Sequence, residues 1–249
     1  MSRVAIVTGS GSGIGASVAV ELARRGWSVA INYSRHRESA EQVQKRCPDS
    51  LLVQADVGED ADCRRLAQAA LERWGRIDAL VNNAGTTKSV AHANLEDLSA
   101  DDFLRIYRLN VVGPFQMVRA CAPALKAARG AVVNVSSVAA RLGTGSSIAY
   151  AASKAALNTM SLSLARVLGP EVRVNTVAPG YVNTPWQAAR FGEAGAKAAA
   201  ERFARLVPLK DHVRAEDVAD AVAWLLEGAR SVTGETIYVD AGMHIQPPG

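Results

Sequence analysis

Short apolar runs, each followed by a longer amphipathic stretch, alternate along the whole of this 249-residue chain. Nothing else in the sequence restricts the possible folds as much. Runs such as Val4-Ala5-Ile6-Val7 and Val132-Val133-Asn134-Val135 show little polar alternation. Strands of that kind must be buried on both faces, as they are in parallel sheets covered by helices. Strands are predicted at Val4–Thr8, Ser28–Asn32, Leu51–Gln54, Ala79–Asn82, Ala131–Val135, Val172–Val177 and Thr236–Val239. Helices are predicted at Gly13–Arg25, Glu38–Arg46, Ala61–Trp74, Ala100–Ala128, Tyr150–Leu168 and Glu216–Leu226. The expected class is α/β: one doubly wound domain over residues 1–249, with a parallel seven-stranded sheet and helices on both faces.

Apolar residues make up 49% and charged residues 21%, enough to build a core and too apolar for a disordered chain. No linker or repeat divides it. The irregular insert is Tyr181–Leu209, with a helical stretch at Ala194–Arg205. It follows the sixth strand, where it reads as a substrate lid or as a surface excursion without function. No run reaches the roughly 18 apolar residues of a membrane span. The apolar start at Val4–Thr8 is too short for a signal-peptide core, which predicts a cytoplasmic protein. Cys47, Cys63 and Cys121 lie far apart, and His36, His92, His212 and His244 lack ligand spacing, so no metal site is expected. The net charge of +4 is spread thinly, which argues against a nucleic-acid partner.

The first strand runs into Thr8-Gly9-Ser10-Gly11-Ser12-Gly13-Ile14-Gly15, and a helix follows. Glycine permits a tight turn and close approach of backbone to ligand. The helix N-terminus then offers N–H groups and partial positive charge to a pyrophosphate. Between a strand and a helix, such a loop reads as a Rossmann-type phosphate cradle.

With its companions, the spacing Thr-Gly-x-x-x-Gly-x-Gly resembles the short-chain dehydrogenase/reductase family, most of all its 3-oxoacyl-acyl-carrier-protein reductase-like members. The companions are Asp56-Val57, Asn82-Asn83-Ala84-Gly85, Asn110, Ser137, Tyr150-x-x-x-Lys154, and Pro179-Gly180 with Thr184 beyond, in that order over about residues 3–245. The resemblance implies a nicotinamide dinucleotide held by Gly9, Ser10, Ser12, Gly13, Ile14 and Gly15. It implies that Asp56 and Val57 meet the adenine and that Asn83, Ala84 and Gly85 line the adenosine ribose side. Pro179, Gly180, Val182 and Thr184 would lie on the nicotinamide side. For Asp56 a helix-capping role stays open.

At the end of the second strand, NAD-using relatives carry a carboxylate where this chain has Tyr33. Ser34 and Arg35, or Arg37, could instead bind a 2′-phosphate. NADP(H) is therefore expected over NAD(H). Two features stand against it: Ser12 replaces a basic residue common in NADP-using relatives, and Arg35 and Arg37 also read as solvated charges.

Tyr150 and Lys154 are one helical turn apart and share a face. A free phenol has a pKa near 10, and a neighbouring ammonium favours its phenolate. Tyr150 is thus the candidate acid/base for a carbonyl or alcohol oxygen. In the family pattern Lys154 also bonds the nicotinamide ribose, Ser137 holds the substrate oxygen, and Asn110 places a proton-relaying water. The substrate is expected to be a small carbonyl or alcohol, met by Thr86, Ala139, Arg141, Leu142, Tyr181 and Trp186. Arg129 and Arg141 are candidates for docking an acidic acyl-carrier protein. Small residues at Ala151, Ala152, Ala155 and Ala156 suit close helix pairing, and the family habit implies a homotetramer, with the tail Met243–Gly249 reaching a neighbour. Two other readings stay open: an NAD(H)-dependent sugar, polyol or alcohol dehydrogenase, and a non-catalytic dinucleotide sensor.

Overall fold

The computed structural model describes residues 2–245. The strands are β1 (Val4–Val7), β2 (Ser28–Tyr33), β3 (Ser50–Gln54), β4 (Ala79–Asn82), β5 (Ala131–Val135), β6 (Arg173–Pro179) and β7 (Thr236–Val239). They form one all-parallel sheet in the order β3-β2-β1-β4-β5-β6-β7. The helices are α1 (Gly13–Arg24), α2 (Arg37–Gln44), α3 (Asp60–Trp74), α4 (Ala100–Tyr107), α5 (Gly113–Ala128), α6 (Ala139–Leu142), α7 (Ile148–Leu168), α8 (Pro185–Leu206) and α9 (Ala215–Glu227). Residues 246–249 of the tail expected to reach a neighbour lie outside the described residues.

The sheet separates two cores, which explains the missing alternation. In β1, Ala5 and Val7 pack with Val18 and Leu22 of α1 and Val222 and Leu225 of α9. Ile6, between them, packs on the other face with Leu66 of α3, Met117 and Leu125 of α5 and Leu164 of α7. Both sets of side chains are apolar because both faces are dry. Parallel strands place all their carboxyl ends on one edge. The strand order reverses between β1 and β4, and a crevice for ligands forms at such a point.

Three expectations are corrected. The predicted helix 100–128 is two helices, because a π-helical segment, Arg108–Val112, separates α4 from α5. Pro114 follows this segment at the start of α5 and has no N–H to continue a regular ladder. The insert is helical from Pro185 to Leu206 rather than only from 194 to 205, with a break at Gly192 (φ 70°, ψ 165°). Strand β6 runs on to Pro179, whose missing N–H is harmless at a strand end. The remaining boundaries differ by a residue or two, ordinary for helix and strand ends.

Candidate active site

The loop after β1 is braced from three sides. Gly9 N–H donates to Asn32 Oδ1 (3.0 Å), and Asn83 Nδ2 donates to the carbonyls of Thr8 (3.0 Å) and Gly9 (3.1 Å). Thr8 Oγ1 accepts from the N–H groups of Asn83 and Ala84, both at 3.0 Å. Ser10 is fully buried; its hydroxyl donates to Val7 O (2.7 Å) and accepts from Asn32 N (2.9 Å), so it ties the loop to the sheet. A side chain on Gly15 would sit 2.4 Å from Asn83 Nδ2 and 2.5 Å from Gly9 O. Gly9 has φ +61° and touches Ala84, so the closeness of the two loops itself requires glycine.

Helix α1 then begins without help from its own sequence. Ser12 makes no side-chain capping bond, and the first turn, with Gly13, Ile14 and Gly15, holds no acid. Its N–H groups and positive dipole end suit a dinucleotide pyrophosphate. The cradle therefore fits the cofactor expected from sequence. Beside it a cleft of about 350 Å³ is lined by Gly13, Ser17, Asn183, Thr184, His212 and Glu216. Thr184 reaches Gly13 from the β6 side, Val182 is bridged to Val213, and Gly180 packs on Asp240.

On the adenosine side, Tyr33 is buried in the core, whereas Ser34 and Arg35 are exposed beyond the end of β2. Arg37 pairs with Glu41 (2.7 Å). Asp56 is exposed, and its Oδ1 accepts from Gly58 N (2.9 Å) in a tight local turn. That turn precedes α3, whose N-cap is Glu59, so the capping role left open for Asp56 is not the one it fills. Val57 is buried and its carbonyl accepts from Gln116 Nε2 (3.2 Å).

The sheet edge after β5 gathers the remaining residues. Ser147 caps α7, its Oγ accepting from Tyr150 N (3.3 Å), which places Tyr150 in the first turn. Lys154, one turn on, puts Nζ 5.9 Å from the Tyr150 ring centre and donates to Val135 O (2.8 Å). Burial pushes the Lys154 ammonium down to about 8. Ser137 is buried just past β5, its Oγ accepting from Ala139 N (3.2 Å). Ser136, its competitor by sequence, donates instead to Lys154 O (3.3 Å) and fastens β5 to α7. Asn110 lies fully buried in the π segment. Its Oδ1 accepts from Thr86 N (2.8 Å), and its Nδ2 donates to Thr86 O and Ser153 Oγ, both at 3.0 Å. Ser153 Oγ donates on to Tyr150 O (2.7 Å). Gly85 is the spacer: a Cβ there would lie 3.2 Å from Asn110 Oδ1 and 3.7 Å from Lys154 Nζ.

The insert closes this edge. Trp186 meets the Tyr150 ring edge-on, with centroids 6.0 Å apart. Past Gly192, Ala196, Ala200 and Phe203 are buried, and Tyr181 Oη donates to Ala196 O (2.8 Å). Of the two arginines offered for carrier docking, Arg141 lies in α6 beyond Ser137, with its guanidinium 5.5 Å from the Tyr238 ring centre. Arg129 precedes β5, at the opposite end of that strand from Ser137. Sequence reasoning missed Thr8, Asn32 and Ser153. Thr8 opens the quoted glycine motif and Asn32 is a polar residue closing an apolar strand; Ser153 carries no local signal.

The family model described as enoyl-(acyl carrier protein) reductase matches residues 9–244. A protein of Streptomyces violaceoruber described as ketoacyl reductase 2 of the granaticin polyketide synthase is 44% identical over 244 residues, which cover 97% of this chain and 96% of the relative. A 3-oxoacyl-acyl-carrier-protein reductase of Staphylococcus aureus is 32% identical, covering 98% and 99%. Among solved structures, one described as a short-chain dehydrogenase/reductase of Burkholderia xenovorans superposes with a TM-score of 0.91 at 41% identity, covering 98% and 99%. The chain belongs to the short-chain dehydrogenase/reductase family of oxidoreductases, and within it is similar to the 3-oxoacyl reductases.

Proposed function

We propose that this chain is an NADP(H)-dependent reductase of 3-oxoacyl groups, acting in the cytoplasm as a homotetramer, with Tyr150 as its acid/base. The observation that carries the reading is the juxtaposition of Tyr150, buried Lys154, Ser137 and Asn110 at one sheet edge beside the glycine cradle. When bound, the nicotinamide supplies the hydride for the carbonyl carbon, or accepts it in reverse. Ser137 Oγ holds the substrate oxygen, and Tyr150 Oη delivers a proton to it. Lys154 steadies the phenolate that remains and bonds the ribose, so one cation serves two positions. Asn110, anchored by Thr86 and Ser153, places the water that returns the proton.

Gly9, Ser10, Ser12, Gly13, Ile14 and Gly15 hold the pyrophosphate, Ser10 by fixing the loop. Asp56 and Val57 bind adenine, and Asn83, Ala84 and Gly85 face its ribose. Pro179, Gly180, Val182 and Thr184 border the carboxamide. Preference for the 2′-phosphate is supported by Tyr33 standing where a carboxylate would repel it, and by exposed Ser34 and Arg35. Arg35 has no ion-pair partner among the described residues. The domain is single, and residues 181–209 form its substrate lid. The acyl-carrier substrate is supported by the Streptomyces and Staphylococcus relatives, and Arg141 remains at the mouth to meet an acidic carrier.

The test is turnover of a 3-oxoacyl thioester with NADPH and NADH in parallel, for the wild type and Tyr150→Phe. NADPH-driven reduction abolished by Tyr150→Phe, with dinucleotide binding kept, is the expected result. Wild-type inactivity across 3-oxoacyl thioesters would sink the substrate class, and full activity in Tyr150→Phe would sink the mechanism.

A further inference from the structure

The π segment that carries Asn110 is fastened to the adenine loop on both sides of that residue. Before Asn110, Arg108 donates from Nε to Gly58 O (3.3 Å), and its guanidinium pairs with Glu59. After it, Gly113 packs so closely on Val57 that a Cβ would lie 2.9 Å from Val57 O, which also accepts from Gln116 Nε2. The bonds of Asn110 lead the other way, to Thr86 and through Ser153 to the Tyr150 carbonyl. One irregular turn thus spans the loop at 56–59 and the side chains at the sheet edge. A π segment is rare, and such segments frequently mark functional sites.

We infer that Arg108 is a positioning residue that makes the placement of Asn110 depend on the adenine loop, so that filling the adenosine half of the site steadies the proton-handling half. The inference rests on the dinucleotide reading given above. Gln116 and Gly113 hold Val57 from within the packed core. Arg108 reaches the loop from the surface, about half exposed like its partner Glu59. An exposed ion pair contributes little to stability, so removing it spares the fold while uncoupling the two halves. A ligand that orders residues 56–59 passes that order to the 108–112 turn through the guanidinium, and the turn fixes Asn110 against Thr86 and Ser153.

The probe is adenosine 2′,5′-bisphosphate, which fills the adenosine half alone. In the wild type it slows amide hydrogen exchange of residues 108–112 by about fivefold or more. In Arg108→Met it binds but leaves that exchange unchanged. At saturating NADPH, Arg108→Met lowers kcat with the thioester KM unmoved, and Arg108→Lys restores part of the loss by keeping a cation opposite Glu59. Equal slowing in wild type and Arg108→Met at matched occupancy overturns the inference, as does an unchanged kcat. Failure of the wild type to bind the probe or to use NADPH is a separate result: it removes the dinucleotide reading and the coupling with it.

Discussion

Lys154 shows how one residue sets chemistry against stability. Its amine is buried at the sheet edge, and burial lowers its pKa to about 8 from 10.5. Below about pH 8 the amine is charged in folded and unfolded chains alike, and the folded state bears the whole desolvation cost. Between about 8 and 10.5 the unfolded chain binds more protons, so this group's share of stability rises with pH. Lys154→Met should therefore raise the unfolding free energy by about 2 kcal/mol at pH 6, with the gain fading toward pH 10.5. Urea titrations at the two pH values check this; equal gains at both would show that the amine is hydrated. Gly15 is limited by space instead. Gly15→Ala forces atoms 2.4 and 2.5 Å away to move, Gly9 backbone among them. It should cost about 1–3 kcal/mol and abolish dinucleotide binding by calorimetry.

At the scale of elements, the two halves of α8 differ in how they are held. The half beyond Gly192 is anchored by Phe203, Ala196 and the Tyr181 hydroxyl, and the half before it presents Trp186 to Tyr150. Tyr181→Phe removes one bond that anchors α8, worth about 1 kcal/mol, and should raise substrate KM several-fold while leaving the NADPH dissociation constant alone if the proposed lid role holds. Steady-state kinetics and cofactor titration separate the two effects. Strands β4 and β5 were legible to the residue because burial on both faces writes itself as a nearly continuous apolar run, and the half-buried edge strand β7 because of its β-branched and aromatic residues. The candidate catalytic residues were marked by motif spacing, and the structure gathers them at one sheet edge. The π segment was not: its Asn110 is held by Thr86 and Ser153, contacts that join distant parts of the chain. The local hint, Gly113-Pro114, lies inside the helix predicted at Ala100–Ala128. Thr8 and Asn32 escaped for the same reason, since their bonds cross from strand to strand.

For the molecule as a whole, no helix among the described residues is long and apolar enough to cross a membrane. Val112, which ends the π segment, Phe115, at the start of α5, and Leu162 and Val167, on α7, nonetheless stand more than 40% exposed. Covering them is what the proposed tetramer would achieve. Phe115→Asp should shift light-scattering mass from tetramer toward smaller species at micromolar concentration; an unchanged mass would free that face from assembly. The strand order has a different consequence. Val4 pairs with Ser28, but Ala5 must also find Ala79, and Ala131 must find Arg173. No hairpin can form early, so each ladder waits for a long loop to close. During synthesis the interior strand β1 is made well before β4 and lacks that flank until about a third of the polypeptide has followed. A newborn chain of this kind carries a raw, sticky edge through much of its emergence, and its yield at high temperature should depend on whatever shields that edge.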